Sequence, residues 1–440
     1  MLANMMCVEP VLLMKRNSPV TVTMSCEQKP AHLTLTSGYQ HYKSFRNIVE
    51  GGTVFPLTYN SIHQIAPNYP SIDNMTNLKG STAPKEVPDK MRALVSIEGK
   101  TAEVKQIPVP SPGEGEILVK VHYVAQNPTD WKAMSAVPPG RTIGCDFAGE
   151  VYDTNGSHWR NGQRVAGFVQ GTSPDPNDAE KSRGAFAEFL TIESSLVFEI
   201  PDSVSDQEAS VVPLPFATAI QAMYQRLNLP EPSKPAKSSF PLLVSGGTSS
   251  VGKYAIQLGK MSGCFVVATG SKKNHDFLLS LGADAVVDYN DADWPDQVRK
   301  ATHDKLEHAF DCIAEHGTPQ AIAKSLAPTK GGHIVTLLPI GNVRPEVEKI
   351  NSKAKIESTI VYTVFQRPLA YKVFDNCGEE TPQDKAVWEK YLDWLPQALG
   401  SKRLKPNRVK EMGGLEDLLK GFKEQQEGRV SAEKLVYKVA

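Results

Sequence analysis

Cysteine is scarce and scattered in this chain. The six cysteines among 440 residues, Cys7, Cys26, Cys145, Cys264, Cys312 and Cys377, include no Cys-x-x-Cys pair. That spacing argues against a disulfide framework and a structural zinc site, and it predicts reduced thiols in a cytoplasmic protein. Net charge is also nearly lacking. The formal value is −1, which gives no reason to expect nucleic acid or an anionic membrane surface as partner. No apolar run reaches the length of about 18 residues that a transmembrane helix needs. The opening stretch MLANMMCVEPVLLMKR lacks the order of a secretory signal, because its positive charges follow the apolar residues. His41, His63, His122, His158 and the other histidines do not cluster, so each reads as structural or exposed. What is present is an ordinary globular composition, 40% hydrophobic and 22% charged. The length suits two domains plus an appendage.

Organisation changes along the chain. Residues 1–90 are rich in Ser, Thr, Asn, Pro and Met with little periodicity, and TAPKEVPDK (82–90) looks like a linker. This part is expected to be a disordered or loosely attached extension, with a misplaced translation start as the alternative. From Met91 to Val212 short β-like runs alternate with glycines, as in EGEILVKVHYVAQ and GAFAEFLTI. From Pro213 to Val364 strand-like and helical runs alternate: PLLVS (241–245), CFVVAT (264–269), AVVDY (285–289), HAFDCI (308–313) and HIVTLL (333–338). That alternation predicts an α/β fold with a doubly wound parallel sheet of the Rossmann type. Residues 365–440 mix helix and strand, and LVYKVA (435–440) reads as a final strand that completes the first domain.

The first α/β strand runs into Gly246, Gly247, Thr248, Ser249, Ser250, Val251 and Gly252. A glycine turn that opens a helix presents backbone N–H groups and a positive dipole end to a phosphate. The fit to G-x-G-x-x-G is loose, and a turn without a ligand is the plain alternative. The second strand ends without the carboxylate that would bind a ribose 2′-hydroxyl, and Ser271, Lys272, Lys273 and Asn274 stand there instead. Two lysines attract a 2′-phosphate, which favours NADPH. The alternative is a solvated helix start. Tyr289 closes the third strand and is placed to lie against the adenosine, or is simply a β-former at a sheet edge.

Four further stretches accompany this turn: Asn127-Pro-Thr-Asp-Trp-Lys132, Ile143-Gly-Cys-Asp-Phe-Ala-Gly-Glu-Val151, Gly184-Ala-Phe-Ala-Glu-Phe189 and Pro215-Phe-Ala-Thr-Ala219. In this order they resemble the medium-chain dehydrogenase/reductase superfamily, over Met91 to Ala440. Gly428-Arg-Val-Ser-Ala-Glu-Lys-Leu-Val436 adds a likeness to the fungal trans-acting enoyl reductases of its zinc-free branch. The loop departs from that pattern at Lys272, where the family commonly has proline. The resemblance implies a GroES-like catalytic domain over 91–212, completed by about 365–440, and a Rossmann NADPH-binding domain over 213–364. It implies that Thr129, Asp130, Trp131 and Lys132 lie at the nicotinamide end, with Lys132 nearest the reacting carbonyl. It puts Thr336 and Leu337 around the nicotinamide and Val430 and Ser431 over the cofactor. Substrate would meet Pro215, Phe216, Ala217, Thr218, Ala219, Ile220 and Gln221, and Ile356, Glu357, Ser358, Thr359 and Ile360. Asp130 as a helix cap, Lys132 as a surface lysine and Ser431 as a strand-edge serine are the plainer roles.

No metal is expected, because the zinc branch carries a cysteine near Asn127 and a His-Glu pair near Cys145 and Asp146. The implied reaction is NADPH-dependent reduction of an α,β-unsaturated thioester, in trans with a polyketide synthase carrier domain. A free-standing enone or quinone reductase and a non-catalytic cofactor-binding protein are the competing readings. SKRLKPNRVK (401–410) is the stretch whose charge would suit an acidic carrier domain, and a solvated face otherwise. A monomer or a homodimer fits equally.

Overall fold

The computed structural model describes residues 87–134, 137–171, 183–366 and 382–440, together with five short strands nearer the start. The chain divides into Met1–Lys85 and Glu86–Ala440. In the first unit the backbones of Val11–Leu13, Val20–Cys26 and Lys29–Leu35 form an antiparallel sheet, and Ile48–Glu50 pairs with Thr53–Phe55. The rest of the expected extension lies outside the described residues.

The second unit opens on a hairpin, Lys90–Ile97 with Thr101–Pro108. Its turn uses Gly99 and Lys100, both with left-handed φ (85° and 59°). A mixed sheet follows in the order Val197–Glu199, Arg164–Phe168, Asp146–Asp153, Glu116–Ala125, Glu433–Lys438 and Arg408–Glu411, with Phe189–Glu193 pairing Glu116–Ala125. The final strand thus returns to the first domain, with Val436 opposite Ala125. Its inward side chains, Leu435 and Tyr437, are fully buried.

Six parallel strands build the other layer: β1 Pro241–Ser245, β2 Phe265–Thr269, β3 Ala285–Val287, β4 His308–Asp311, β5 Gly332–Thr336 and β6 Ala354–Ser358. Their order is β3-β2-β1-β4-β5-β6. This is the doubly wound pattern, whose strand order reverses between β1 and β4 and so opens a crevice at their carboxyl ends. Leu242, Leu243 and Val244 in β1 are fully buried, as a central strand covered on both faces requires. β6 was not among the expected strands. It reads AKIES, with charged Lys355 and Glu357 flanking buried Ile356. That is the composition of an edge strand, and periodicity alone shows it poorly.

The helix Pro213–Ile220 leads from one domain into the other and is buried throughout. It runs on as a π-helical turn, Gln221–Arg226. Phe216 sits among Tyr254, Trp388, Tyr391 and Trp394, with ring centroids 5.6 to 6.4 Å away. Burying such a side chain contributes about 1.5–3 kcal/mol. Among the described residues no helix is long and apolar enough to cross a membrane.

Candidate active site

The glycine turn leaves β1 at Ser245 and enters the helix α1, Ser250–Met261. Gly246 has φ +76°, and a Cβ there would lie 2.6 Å from the Ile313 side chain. A Cβ on Gly252 would lie 2.3 Å from the Gly246 carbonyl oxygen, so helix and turn touch through bare backbone. Gly246 is therefore the tight-turn glycine and Gly252 the packing glycine. Ser249 caps the helix by accepting from the Gly252 N–H at 2.9 Å, which leaves its neighbours' N–H groups to face a ligand. Thr248 stands beside Gly270 at the end of β2.

Beyond β2 the chain turns through Ser271, whose hydroxyl accepts from the Asn274 side chain at 3.0 Å. Lys272 and Lys273 are exposed. Tyr289 is 51% exposed at the end of β3. Asp288 accepts from the Lys272 N–H at 3.1 Å and from the Asn290 backbone N–H at 2.9 Å. Those N–H groups hold its carboxyl below the ordinary range. One carboxylate thus lies near the lysine loop, but just past β3 rather than at the tip of β2.

On the other side of the crevice, buried Asp311 ends β4. It accepts from the Ile313 and Ala314 N–H groups, each at 3.1 Å, and from the Thr318 hydroxyl at 2.6 Å. Ala314 and His316 adopt left-handed φ of 59° and 57°, backbone that non-glycine residues hold only where their surroundings impose it. Between them Glu315 meets Lys132 at 2.9 Å. The Lys132 ammonium also lies 5.5 Å from the Trp131 ring centroid. The pair therefore joins the helix Pro128–Met134 to the loop that follows β4. Thr336 is buried at the end of β5, and its carbonyl accepts from the Thr359 N–H at 2.8 Å; Leu337 is half-buried beside it. Val430 is half-buried, Ser431 is exposed, and Ala432 again has a left-handed φ of 59°.

Between these walls lies a buried polar cluster. The helix Pro128–Met134 starts at Asn127, whose N–H donates to the Asp130 Oδ2 at 2.6 Å. Asp130 thus caps the helix from its third position. Its other oxygen has no conventional donor among the described residues. Burial pushes the Asp130 carboxyl up to about 7, with the Asn127 N–H and the Cys145 thiol opposing that rise. Cys145 itself is pushed well up by burial, so it is an inert thiol rather than a nucleophile. Its sulfur lies 3.3 Å from the Tyr362 Oη, which lies 3.0 Å from the Thr129 Oγ1. A continuous polar chain therefore joins Asp130, Cys145, Tyr362 and Thr129.

The Lys434 ammonium donates to the Asn127 Oδ1 at 2.6 Å and to the Asp146 Oδ2 at 2.7 Å. Asp146 also accepts from the Asn127 amide at 2.9 Å and from the Leu214 N–H at 2.7 Å. Lys434 and Asp146 are 1% and 0% exposed. The resemblance puts the zinc branch's ligands at Asn127 and at Cys145 and Asp146. Here a lysine ammonium already occupies the Asn127 and Asp146 oxygens, the Cys145 thiol turns to Tyr362 and Asp130, and this donor set does not fit zinc.

The residues assigned to substrate divide. Gln221 and Thr359 come together: the Thr359 hydroxyl donates to the Gln221 Oε1 at 2.5 Å, and the Gln221 amide donates to the Thr363 Oγ1 at 2.8 Å. Thr363 in turn donates to Asp384, which pairs with Arg226 at 2.7 Å. Pro215, Phe216, Ala217, Thr218, Ala219 and Ile220 are buried in the connecting helix, with the Thr218 hydroxyl donating to the Leu214 carbonyl. Ile356 packs in the sheet core, Ser358 is buried, Ile360 is nearly so, and Glu357 pairs with His333. Sequence reading missed Tyr362 and Lys434. Tyr362 follows β6 in a stretch without a motif. Lys434 was quoted within a motif whose only assigned residues were Val430 and Ser431.

The pH dependence of stability follows from Asp130. A carboxyl raised in the folded state binds its proton more tightly there than in the unfolded chain. Its contribution therefore falls as pH rises from about 4 to about 7 and is constant above that. Asp130→Asn is expected to gain stability relative to the parent over that window, measured by urea unfolding at stepped pH.

Two family models match parts of the chain. The alcohol dehydrogenase GroES-like domain matches residues 113–202, and the zinc-binding dehydrogenase family matches residues 250–366. A trans-enoyl reductase of Alternaria alternata is 33% identical over 354 residues, covering 79% of this chain and 98% of that protein. A zinc-type alcohol dehydrogenase-like protein of Schizosaccharomyces pombe is 33% identical over 362 residues, 79% of this chain and 100% of that protein. Among solved structures, the CurK enoyl reductase matches with a TM-score of 0.62 at 18% identity, covering 80% of this chain and 100% of that one. The chain belongs to the medium-chain dehydrogenase/reductase superfamily and, within it, resembles the fungal trans-enoyl reductases.

Proposed function

We propose that this protein is a zinc-independent, NADPH-dependent enoyl reductase that reduces the double bond of an α,β-unsaturated thioester in trans with a polyketide synthase. The observation that carries the reading is a lysine-bearing loop beside a glycine turn, at the carboxyl ends of the neighbouring strands β2 and β1, in a chain a third identical to a named trans-enoyl reductase. When bound, the cofactor supplies the hydride that adds to the β-carbon. Thr248, Ser250 and Val251 would hold the diphosphate through their backbone N–H groups, at a turn that Gly246, Gly247, Ser249 and Gly252 shape through their own hydrogen bonds. Ser271, Lys272, Lys273 and Asn274 surround the 2′-phosphate, and Tyr289 lies against the adenosine. Thr336 and Leu337 frame the reacting end, and Val430 and Ser431 close over it.

Negative charge develops on the substrate carbonyl oxygen, and donors aimed at that oxygen lower the barrier most. Lys132 and the paired hydroxyls of Thr129 and Tyr362 are the donors of this chain. Tyr362 also connects to Cys145 and Asp130, a route by which a proton given to the substrate α-carbon is replaced. Gln221, Thr359 and Ile360 are the substrate residues nearest Tyr362 through chain and hydrogen bonds.

Lys132→Ala separates reaction from stability. Lys132 and Glu315 are 31% and 46% exposed, so losing the pair is expected to change stability by less than about 1 kcal/mol. Turnover is expected to fall by about 10-fold or more. The trans-acting role is tested by offering one unsaturated acyl group on a free pantetheine and on an isolated polyketide carrier domain. Faster reduction of the tethered group supports it. Equal rates, or turnover of quinones and enones alone, make the protein a free-standing reductase.

A further inference from the structure

The basic stretch SKRLKPNRVK (401–410) has no part in the site described so far. It crosses the two helices that follow β1 and β2, which are α1 and His275–Ser280. Its hydrogen bonds give its direction. The Lys405 N–H donates to the Gln257 Oε1 at 2.8 Å, and the Lys405 ammonium donates to the Ser280 carbonyl at 3.3 Å. Two residues on, the Asn407 N–H donates to the Tyr254 Oη at 3.2 Å, and its side-chain amide donates to the Ser250 carbonyl at 3.3 Å. Ser280 is the last residue of its helix, and Ser250 is the first of α1. The stretch therefore runs toward the helix N-termini, where the glycine turn and the lysine loop lie.

Arg408 comes next and opens the edge strand Arg408–Glu411. Its guanidinium carbon lies 3.7 Å from the centroid of the Phe277 ring. Phe277 is the third residue of the helix that Ser271–Asn274 leads into, and helical side chains lean back toward the N-terminus. The Arg408 charge also acts on Lys253, the fourth residue of α1. The guanidinium thus sits by the opening turns of both helices. Arg408 is exposed. Glu433 stands opposite it in the strand register, yet no ion pair or hydrogen bond engages the guanidinium among the described residues. An arginine stacked on a ring keeps its N–H donors in one plane, and that fork matches a phosphate.

We infer that Arg408 is a cofactor-binding residue that reaches from the first domain's sheet to the 2′-phosphate of NADPH, facing Lys272 and Lys273. The inference rests on the reading of the lysine loop as a 2′-phosphate site and adds a second wall to it from another part of the chain. The lysines supply charge from the Rossmann side, and the arginine supplies a directed pair of donors. NADPH, unlike NADH, then ties the C-terminal strand pair to the Rossmann domain.

The test is fluorescence titration of the full chain with NADPH and with NADH, for the parent, Arg408→Gln and Arg408→Lys, with thermal unfolding of each unliganded protein. The parent is expected to prefer NADPH. Arg408→Gln is expected to bind NADPH about 10-fold more weakly, the loss of one charge-assisted contact, and to bind NADH as the parent does. Its unliganded melting temperature is expected to stay close to the parent's, since the side chain is exposed. Arg408→Lys keeps the charge without the fork and is expected to recover part of the NADPH affinity. An NADPH-to-NADH preference unchanged in Arg408→Gln overturns the inference. So does an equal loss for both dinucleotides, which marks a structural arginine. A parent that binds both dinucleotides equally overturns the 2′-phosphate reading itself, and the inference with it.

Discussion

Lys434→Met is expected to cost about 3–5 kcal/mol of folding stability, the largest effect of any single change considered for this protein. The ammonium is the buried centre of a cluster that draws on three separate parts of the chain. It reaches Asn127 and Asp146 from the final strand, while Leu214 at the start of the connecting helix donates to the same Asp146. Removing the lysine leaves the Asp146 carboxylate inside the protein with neutral donors only. Burial already pushes that carboxyl up, and Lys434 holds it back. The variant should therefore take up a proton at Asp146 and lose the link between the C-terminal strand and the first domain. The double variant Lys434→Met with Asp146→Asn removes both charges and is expected to recover a substantial part of the loss. Urea unfolding of parent, single and double variants measures the coupling. A single-variant loss under about 1 kcal/mol would show that the cluster does not hold the domains as described.

The second large effect concerns cofactor choice. Lys272→Glu with Lys273→Glu is expected to weaken NADPH binding about 100-fold or more, from two charge-assisted contacts replaced by repulsion. NADH binding is expected to change little, because it presents no phosphate to that loop. Asp288, already held charged beside the Lys272 N–H, adds to the repulsion once the lysines are gone. Fluorescence titration of both dinucleotides gives the ratio directly. A ratio unchanged by the double substitution would mean that these lysines are only a solvated helix start.

The parts of the fold that sequence reading reached are those where one local rule dominates. β1 is an unbroken apolar run ahead of two glycines, and only a central strand and a tight turn suit that combination. The final strand was legible because LVYKVA is a short run rich in apolar and strand-forming residues. β6 was missed because an edge strand carries lysine and glutamate and buries little. In the site, Gly246 and Gly252 could be named from spacing, but which glycine turns the chain and which lets the helix approach depends on Ile313 and the Gly246 carbonyl. The buried cluster was legible only as motifs. Asn127 and Asp146 stood in quoted stretches, yet nothing local says that a lysine 288 residues beyond Asp146 fills the space between them. Tyr362 has the same difficulty, since its partners Thr129 and Cys145 are more than 200 residues away. Pairings of that range belong to tertiary structure, and neither propensity nor period encodes them.

The central claim is hydride transfer to the β-carbon of an unsaturated thioester. The most direct measurement incubates the protein with crotonyl-pantetheine and NADPH deuterated at nicotinamide C4, then reads the saturated product by mass spectrometry. The account predicts butyryl-pantetheine with one deuterium at the β-carbon when the labelled face matches, and far slower turnover with NADH. Cofactor bound but no thioester reduced, free or carrier-bound, would contradict it.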